Sequence, residues 1–193
     1  MKKILSVMLI FCFVFSFAGC GKKKDDGEKK GTLDIEYYTE AGQMPECKYV
    51  LGADPETIKA DITALIEAEE DSDGGHSEIV YDVSEDEEGK NVEINNGTFR
   101  YFYKKANPDK GVGCIVNAGT AYGFEPGTVI VEVKEAIAGC DYVEEEANED
   151  NAFFLYGPLM GTVLRCDAGD NTVVFVFADN ALCATAIFTG EDW

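Results

Sequence analysis

One stretch of the chain repeats. Residues 52–67 lie over residues 123–138 at a constant offset of 71 without a gap. Gly52/Gly123, Pro55/Pro126, Thr57/Thr128 and Ile66/Ile137 coincide, and Asp54/Glu125, Ile58/Val129, Asp61/Glu132 and Ile62/Val133 keep their character. Each copy sets an acidic residue before a proline, the order of an N-cap and a first helical position, and spaces its apolar residues at i, i+4, i+7 and i+8. Both copies are therefore expected to be amphipathic helices, the first with Ile58, Ile62, Leu65 and Ile66 inward. Taken alone, Thr128 to Val133 is rich enough in β-branched residues to suit a strand. The repeat decides for a helix over residues 123–138, with Gly139 as its C-terminal cap.

Acidic segments follow each helix, Glu67 to Asp73 and Asp141 to Asp150, and then come strand-like runs. Ile79 to Val83 and Phe153 to Tyr156 are expected to open two sheets. Asn96-Gly97 is a hairpin signal between Val92–Ile94 and Thr98–Tyr103, and its counterpart is the turn around Asp170-Asn171, joining Gly161–Cys166 to Thr172–Phe177. Gly113–Val116 and Cys183–Phe188 are the expected final strands. Period two puts Phe99, Tyr101 and Tyr103 on one face, equivalent to Val173, Phe175 and Phe177, and leaves Arg100, Phe102 and Lys104 opposite, equivalent to Val174, Val176 and Ala178. The second set is apolar on both faces and needs a cover. The expected fold is thus α+β, a tandem duplication over about residues 50–119 and 121–190, each half one helix followed by an antiparallel meander, packed as one globule. Duplications of the β-lactamase-inhibitor protein type are a loose architectural analogy, which transfers no function.

Charge restricts function more than fold. With 16 Lys and Arg against 37 Asp and Glu, the chain sums to −21, which excludes nucleic-acid binding through phosphate neutralisation. Yet 46% of its residues are apolar and 11% aromatic, too many core formers for a disordered acidic chain.

The N-terminus has its own logic. Met1-Lys2-Lys3 precedes an apolar run from Ile4 to Phe17, too short to span a bilayer, and Phe17-Ala18-Gly19-Cys20 places small residues before a cysteine. In these residues the chain resembles bacterial lipoprotein precursors, although Phe17 stands where that family usually has Leu. The resemblance covers only the signal. It implies cleavage after residue 19, lipidation of Cys20 and anchoring on the extracytoplasmic face of a membrane of the bacterial cell envelope, two acyl chains being enough for stable anchoring. A plain secretory signal is the alternative. Residues 20–32, with five lysines against three acids, read as a tether whose lysines meet anionic headgroups, while residues 33–193 carry nine basic and 34 acidic side chains.

Beyond Cys12 and Cys20, five cysteines remain: Cys47, Cys114, Cys140, Cys166 and Cys183. Their spacing holds no C-x-x-C, so neither a zinc site nor a redox motif is indicated. Reduced core thiols are favoured, with Cys114 and Cys183 in equivalent strands, and any pairing among the five is left open.

No motif names a reaction. His76 is the lone histidine, Ser72, Ser77 and Ser84 lie in no nucleophile elbow, and Gly111-Val112-Gly113 lacks the third glycine of a dinucleotide loop. Glu69, Asp71, Asp73 and Gly74 match the opening of a calcium loop, but Val80 stands where a bidentate Glu is needed. Tyr37, Tyr38, Tyr122, Tyr142 and Trp193 are candidate interface anchors. The reading is a non-catalytic, lipid-anchored binding module with an unknown protein or surface partner, a basic one by charge. A Ca²⁺-responsive surface protein using Glu69, Asp71 and Asp73 is the alternative, and an unrecognised hydrolase comes third. No cofactor is expected unless Ca²⁺ is one.

Overall fold

Asp54 and Pro55 begin the longest helix as their sequence requires. In a computed structural model that describes residues 34–73, 80–155 and 161–190, with the backbone alone at 71–73, the Asp54 carboxylate accepts from the amides of Glu56 and Thr57 and from the Thr57 hydroxyl. This helix, α2, runs Pro55–Asp73. A short helix, α1, precedes it at Ile35–Glu40, capped by the Asp34 side chain on the Tyr37 amide at 3.0 Å. Ile58 and Ile62 of α2 are buried, whereas Leu65, expected inward, is 57% exposed. The helix also continues past Glu67 through the acidic segment expected as a loop. Ala and Glu are strong helix formers, and the first breaker is Gly74.

The second helix of the repeat, α3, is shorter than its sequence implies. It spans Ile130–Ala136 with Val129 as N-cap, so Pro126 is not its first residue, and it ends two residues before Gly139 at Ile137. Gly127 stands where the first copy has Glu56, and it adopts φ +91°, which stops a helix from starting there. Residues 127–129 are instead drawn into the sheet. The Gly127 amide donates to Leu182, the Leu182 amide donates to Thr128, and Val129 bridges Ala181.

Eight strands follow: β1 (Asp82–Glu85), β2 (Asn91–Asn95), β3 (Phe99–Lys104), β4 (Cys114–Asn117), β5 (Tyr142–Glu146), β6 (Thr162–Ala168), β7 (Asn171–Ala178) and β8 (Ala181–Thr189). They form one antiparallel sheet in the order β1-β2-β3-β4-β8-β7-β6-β5. Two sheets were expected; β4 joins β8 edge to edge instead, Cys114 opposite Phe188 and Asn117 opposite Thr185. The fold is α+β, and the described residues belong to one compact unit.

The alternation read from the long strands holds. Phe99, Tyr101 and Tyr103 share one core with Val173, Phe175 and Phe177, under Ile35 of α1, Ile58 and Ile62 of α2 and Val133 of α3. Phe102, Val174 and Val176 lie on the other face, in a second core with Cys114, Val116, Ala184 and Ala186. What covers that face is the connection between β5 and β6. Ala147, Ala152 and Phe154 are buried against it, and Arg100 of β3 donates to the Phe154 carbonyl at 2.6 Å.

This corrects the opening strands. Phe153 and Phe154 belong to the covering segment rather than to a strand, and Tyr156 lies outside the described residues. The strand before β6 is β5, inside the segment expected to be an acidic loop. In the first half, β1 begins at Asp82, three residues later than expected. The reason is unequal spacing: five residues join β1 to β2, but 15 join β5 to β6. A constant offset cannot bridge that difference. Among the described residues no helix is long and apolar enough to cross a membrane.

Candidate functional site

An open sheet has two outer strands, and their sequences decide what they can meet. Here both edges are acidic. β5, Tyr142-Val143-Glu144-Glu145-Glu146, pairs on its inner side with β6, Val143 opposite Arg165 and Glu144 opposite Leu164. Tyr142 packs on the main core, whereas Val143 is 52% exposed on the opposite face. The Glu144 carboxylate takes the Lys134 ammonium at 2.7 Å. At the other edge all four residues of β1 are exposed, among them Asp82, Val83 and Glu85.

Local hydrogen bonds hold β5 in place. The Asn151 side-chain amide donates to the Glu145 carboxylate and to the Glu146 carbonyl, both at 3.0 Å. The Asn148 side chain accepts from the amides of Asp150 and Asn151, a turn that starts the segment covering the second core. The end of β5 is thereby fixed to the rigid face that it borders.

Charge is unevenly distributed over the sheet. Lys90, Lys104, Lys105 and Lys110, four of the nine basic residues in 33–193, border one depression of about 500 Å³ beside β2 and β3. Lys105 bonds both oxygens of Glu85 at 2.6 and 2.8 Å, and Lys90 pairs with Glu88. The far end of the sheet has only Lys134 and Arg165 against the acids of β5, and Arg165 is itself held by Asp167 at 2.9 Å. Within β5, Glu144 is ion-paired by Lys134 and Glu145 accepts from Asn151.

The residues singled out from sequence scatter. Cys20, His76 and Trp193 lie outside the described residues. Glu69 is exposed on α2, and Asp71 and Asp73 occupy its last turn. The backbone from Glu69 to Asp73 is thus helical and not the loop expected there. Among the described residues no three of His, Cys, Asp and Glu converge as metal ligands. Tyr122, an expected surface anchor, is 2% exposed, and its hydroxyl donates to the Gln43 carbonyl at 3.0 Å. Tyr37 is 61% exposed and meets Tyr38 edge to face at 5.4 Å, while Tyr142 is half-buried.

Gly111 has a structural task. A Cβ there would stand 2.3 Å from the Gly52 carbonyl oxygen, so its glycine serves the packing of two loops. The five cysteines are free thiols, Cys47, Cys114 and Cys166 buried and Cys140 and Cys183 partly exposed. Burial raises the Cys47 thiol above its ordinary pKa, and does so strongly at Cys114; neither is prepared as a nucleophile.

Sequence reasoning missed the edge strand. The one signal available was Tyr142-Val143, a β-favouring pair at the head of an acidic run. No family model matches the chain, and neither a curated protein nor a solved structure matches it.

Proposed function

We propose that the chain is a lipid-anchored, extracytoplasmic binding module, tethered through Cys20 and the lysines of residues 22–30, that captures an extended basic partner along the outer edge of β5. The observation that supports it most is the composition of that edge: Val143 exposed on one face, with Glu144 and Glu146 exposed on the other.

An outer strand offers backbone N–H and C=O groups to any extended chain. Acidic side chains disfavour a second copy of the same strand, because like charges directly opposite each other repel. A partner strand with Lys or Arg opposite Glu144 and Glu146 and an apolar residue opposite Val143 satisfies both faces, with the backbone supplying affinity and the side chains selectivity. Lys134 already shows the pairing that Glu144 accepts. The net charge of residues 33–193 steers such a partner inward and keeps the domain off an anionic membrane.

The two halves fit a duplication that built this edge twice. Each runs helix then four-stranded meander, and the strand order is mirrored about the β4–β8 junction. Gly52 and Gly123, equivalent at the offset of 71, share positive φ of 83° and 76°.

The test is fluorescence anisotropy of two labelled ten-residue peptides, alternating Val-Lys and alternating Val-Glu, titrated with the full chain at low and at physiological salt. The Val-Lys peptide is expected to bind and to weaken several-fold as salt screens the charges. Equal behaviour of the two peptides would overturn the reading.

A further inference from the structure

Two of the five thiols are neighbours. Cys140 and Cys166 line the same small cavity, about 180 Å³, between α1, the end of α3 and the first strand pair of the second half. Tyr142 is the direct partner of Cys166 in the β5–β6 ladder, and Cys140 precedes Tyr142 by two residues. Both thiols pack on the main core. A disulfide spans Cα atoms about 4.4–6.8 Å apart. Cys140 lies in the bend between α3 and β5 rather than in the ladder, so no strand pairing fixes its separation from Cys166.

We infer that Cys140 and Cys166 are a redox pair, closing to a disulfide by exchange with a low-molecular-weight disulfide and thereby joining the α3–β5 bend to β6. In the first step Cys140, the more exposed of the two, loses its proton to solvent. Its sulfur attacks one sulfur of oxidised glutathione, and one glutathione leaves as thiolate and is protonated. In the second step Cys166 gives its proton to solvent and attacks the Cys140 sulfur, and the second glutathione leaves in the same way. Two protein thiols are oxidised to one disulfide while one glutathione disulfide is reduced to two thiols. The inference is independent of the partner proposed for β5.

The environment makes the exchange slow and its product durable. Burial foremost, and then the neighbouring Cys140 thiol, push Cys166 up to about 12. Burial likewise raises Cys140. Few thiolates are present at neutral pH, so oxidation needs a sustained oxidising environment, which an exported domain meets. The bridge closes a loop of 26 residues in sequence separation, which restricts the unfolded chain.

The experiment incubates the full chain overnight in a glutathione buffer rich in the oxidised form, then counts thiols by alkylation under denaturing conditions and maps the cross-link by mass spectrometry. Trypsin leaves Cys166 and Cys183 on one peptide, so the mapping uses Cys183→Ser. Loss of two thiols is expected, with a link between the peptides holding Cys140 and Cys166 and a rise in unfolding midpoint of roughly 5–10 °C. Cys140→Ser, at a partly exposed position, should abolish that loss and that rise, whereas Cys166→Ala should abolish the link and the rise and leave Cys140 as a mixed disulfide with glutathione, one thiol lost. A full set of unreacted thiols, or a link to Cys47 or Cys114 instead, would overturn the inference.

Discussion

The Glu46 carboxylate accepts the backbone amides of Tyr122 and Gly123, at 3.0 and 2.9 Å, across 76 and 77 residues of sequence. Both acceptors of one side chain are thus committed to a loop in the other half. Tyr122 has φ +53°, a left-handed conformation that is costly for a residue with a Cβ, and Gly123 follows at φ +76°. The paired amides converge on one anion, which offsets the strain. Glu46→Gln keeps the shape but replaces one acceptor oxygen with a donor. We expect a loss of about 1 kcal/mol from the hydrogen-bond change, measured by urea denaturation with an unchanged m-value. No loss would mean that the Tyr122 conformation is held by its buried ring alone.

Asp54 and Asp61 set a pH dependence. The Thr57 hydroxyl and the Glu56 amide hold Asp54 below the usual carboxylate range, and the Lys48 ammonium and the Tyr49 hydroxyl do the same for Asp61. A depressed folded-state pKa contributes stability above the unfolded value of about 3.9, and that contribution is lost as pH falls through the folded value. Thermal midpoints followed downward from pH 5 should decline less steeply in the double variant Asp54→Asn and Asp61→Asn than in the parent. Parallel curves would show that neither carboxylate is coupled to folding.

Burial separates two large side chains that sequence had treated alike. Phe175 is fully buried, with its ring edge to face against Tyr122 at 5.8 Å and Phe124 at 5.7 Å. Phe175→Ala should cost about 3–5 kcal/mol, a large share of the roughly 5–15 kcal/mol that holds a domain folded. Leu65→Ala, at an exposed helical position, should change stability by less than about 0.5 kcal/mol. Chemical denaturation of the two variants side by side checks both; a costly Leu65→Ala would contradict the inward face found for α2.

Sequence made legible what local rules govern. The alternation Phe99, Tyr101, Tyr103 against Val173, Phe175, Phe177 named the main core face because a strand's side-chain period is two whatever surrounds it. Asp54-Pro55 named the start of α2 because capping needs only the next three residues. What stayed hidden depends on distant partners. Thr128 and Val129 extend because Leu182 and Ala181 are there to pair with them. β4 meets β8 because two halves close on each other, and no pattern within Cys114–Asn117 announces that. β5 is paired to a strand on one side only, so a single exposed valine and three glutamates suffice, and its composition resembles a loop.

The central claim is that β5 is the docking edge, and hydrogen exchange of the full chain tests it most directly. Exchange is followed by mass spectrometry with and without a saturating Val-Lys peptide. The account predicts slowed exchange at residues 142–146, abolished by Glu144→Pro, which removes an outward-facing backbone donor of the edge strand and leaves its ladder with β6 intact. Protection that appears elsewhere, or that survives Glu144→Pro, would contradict it.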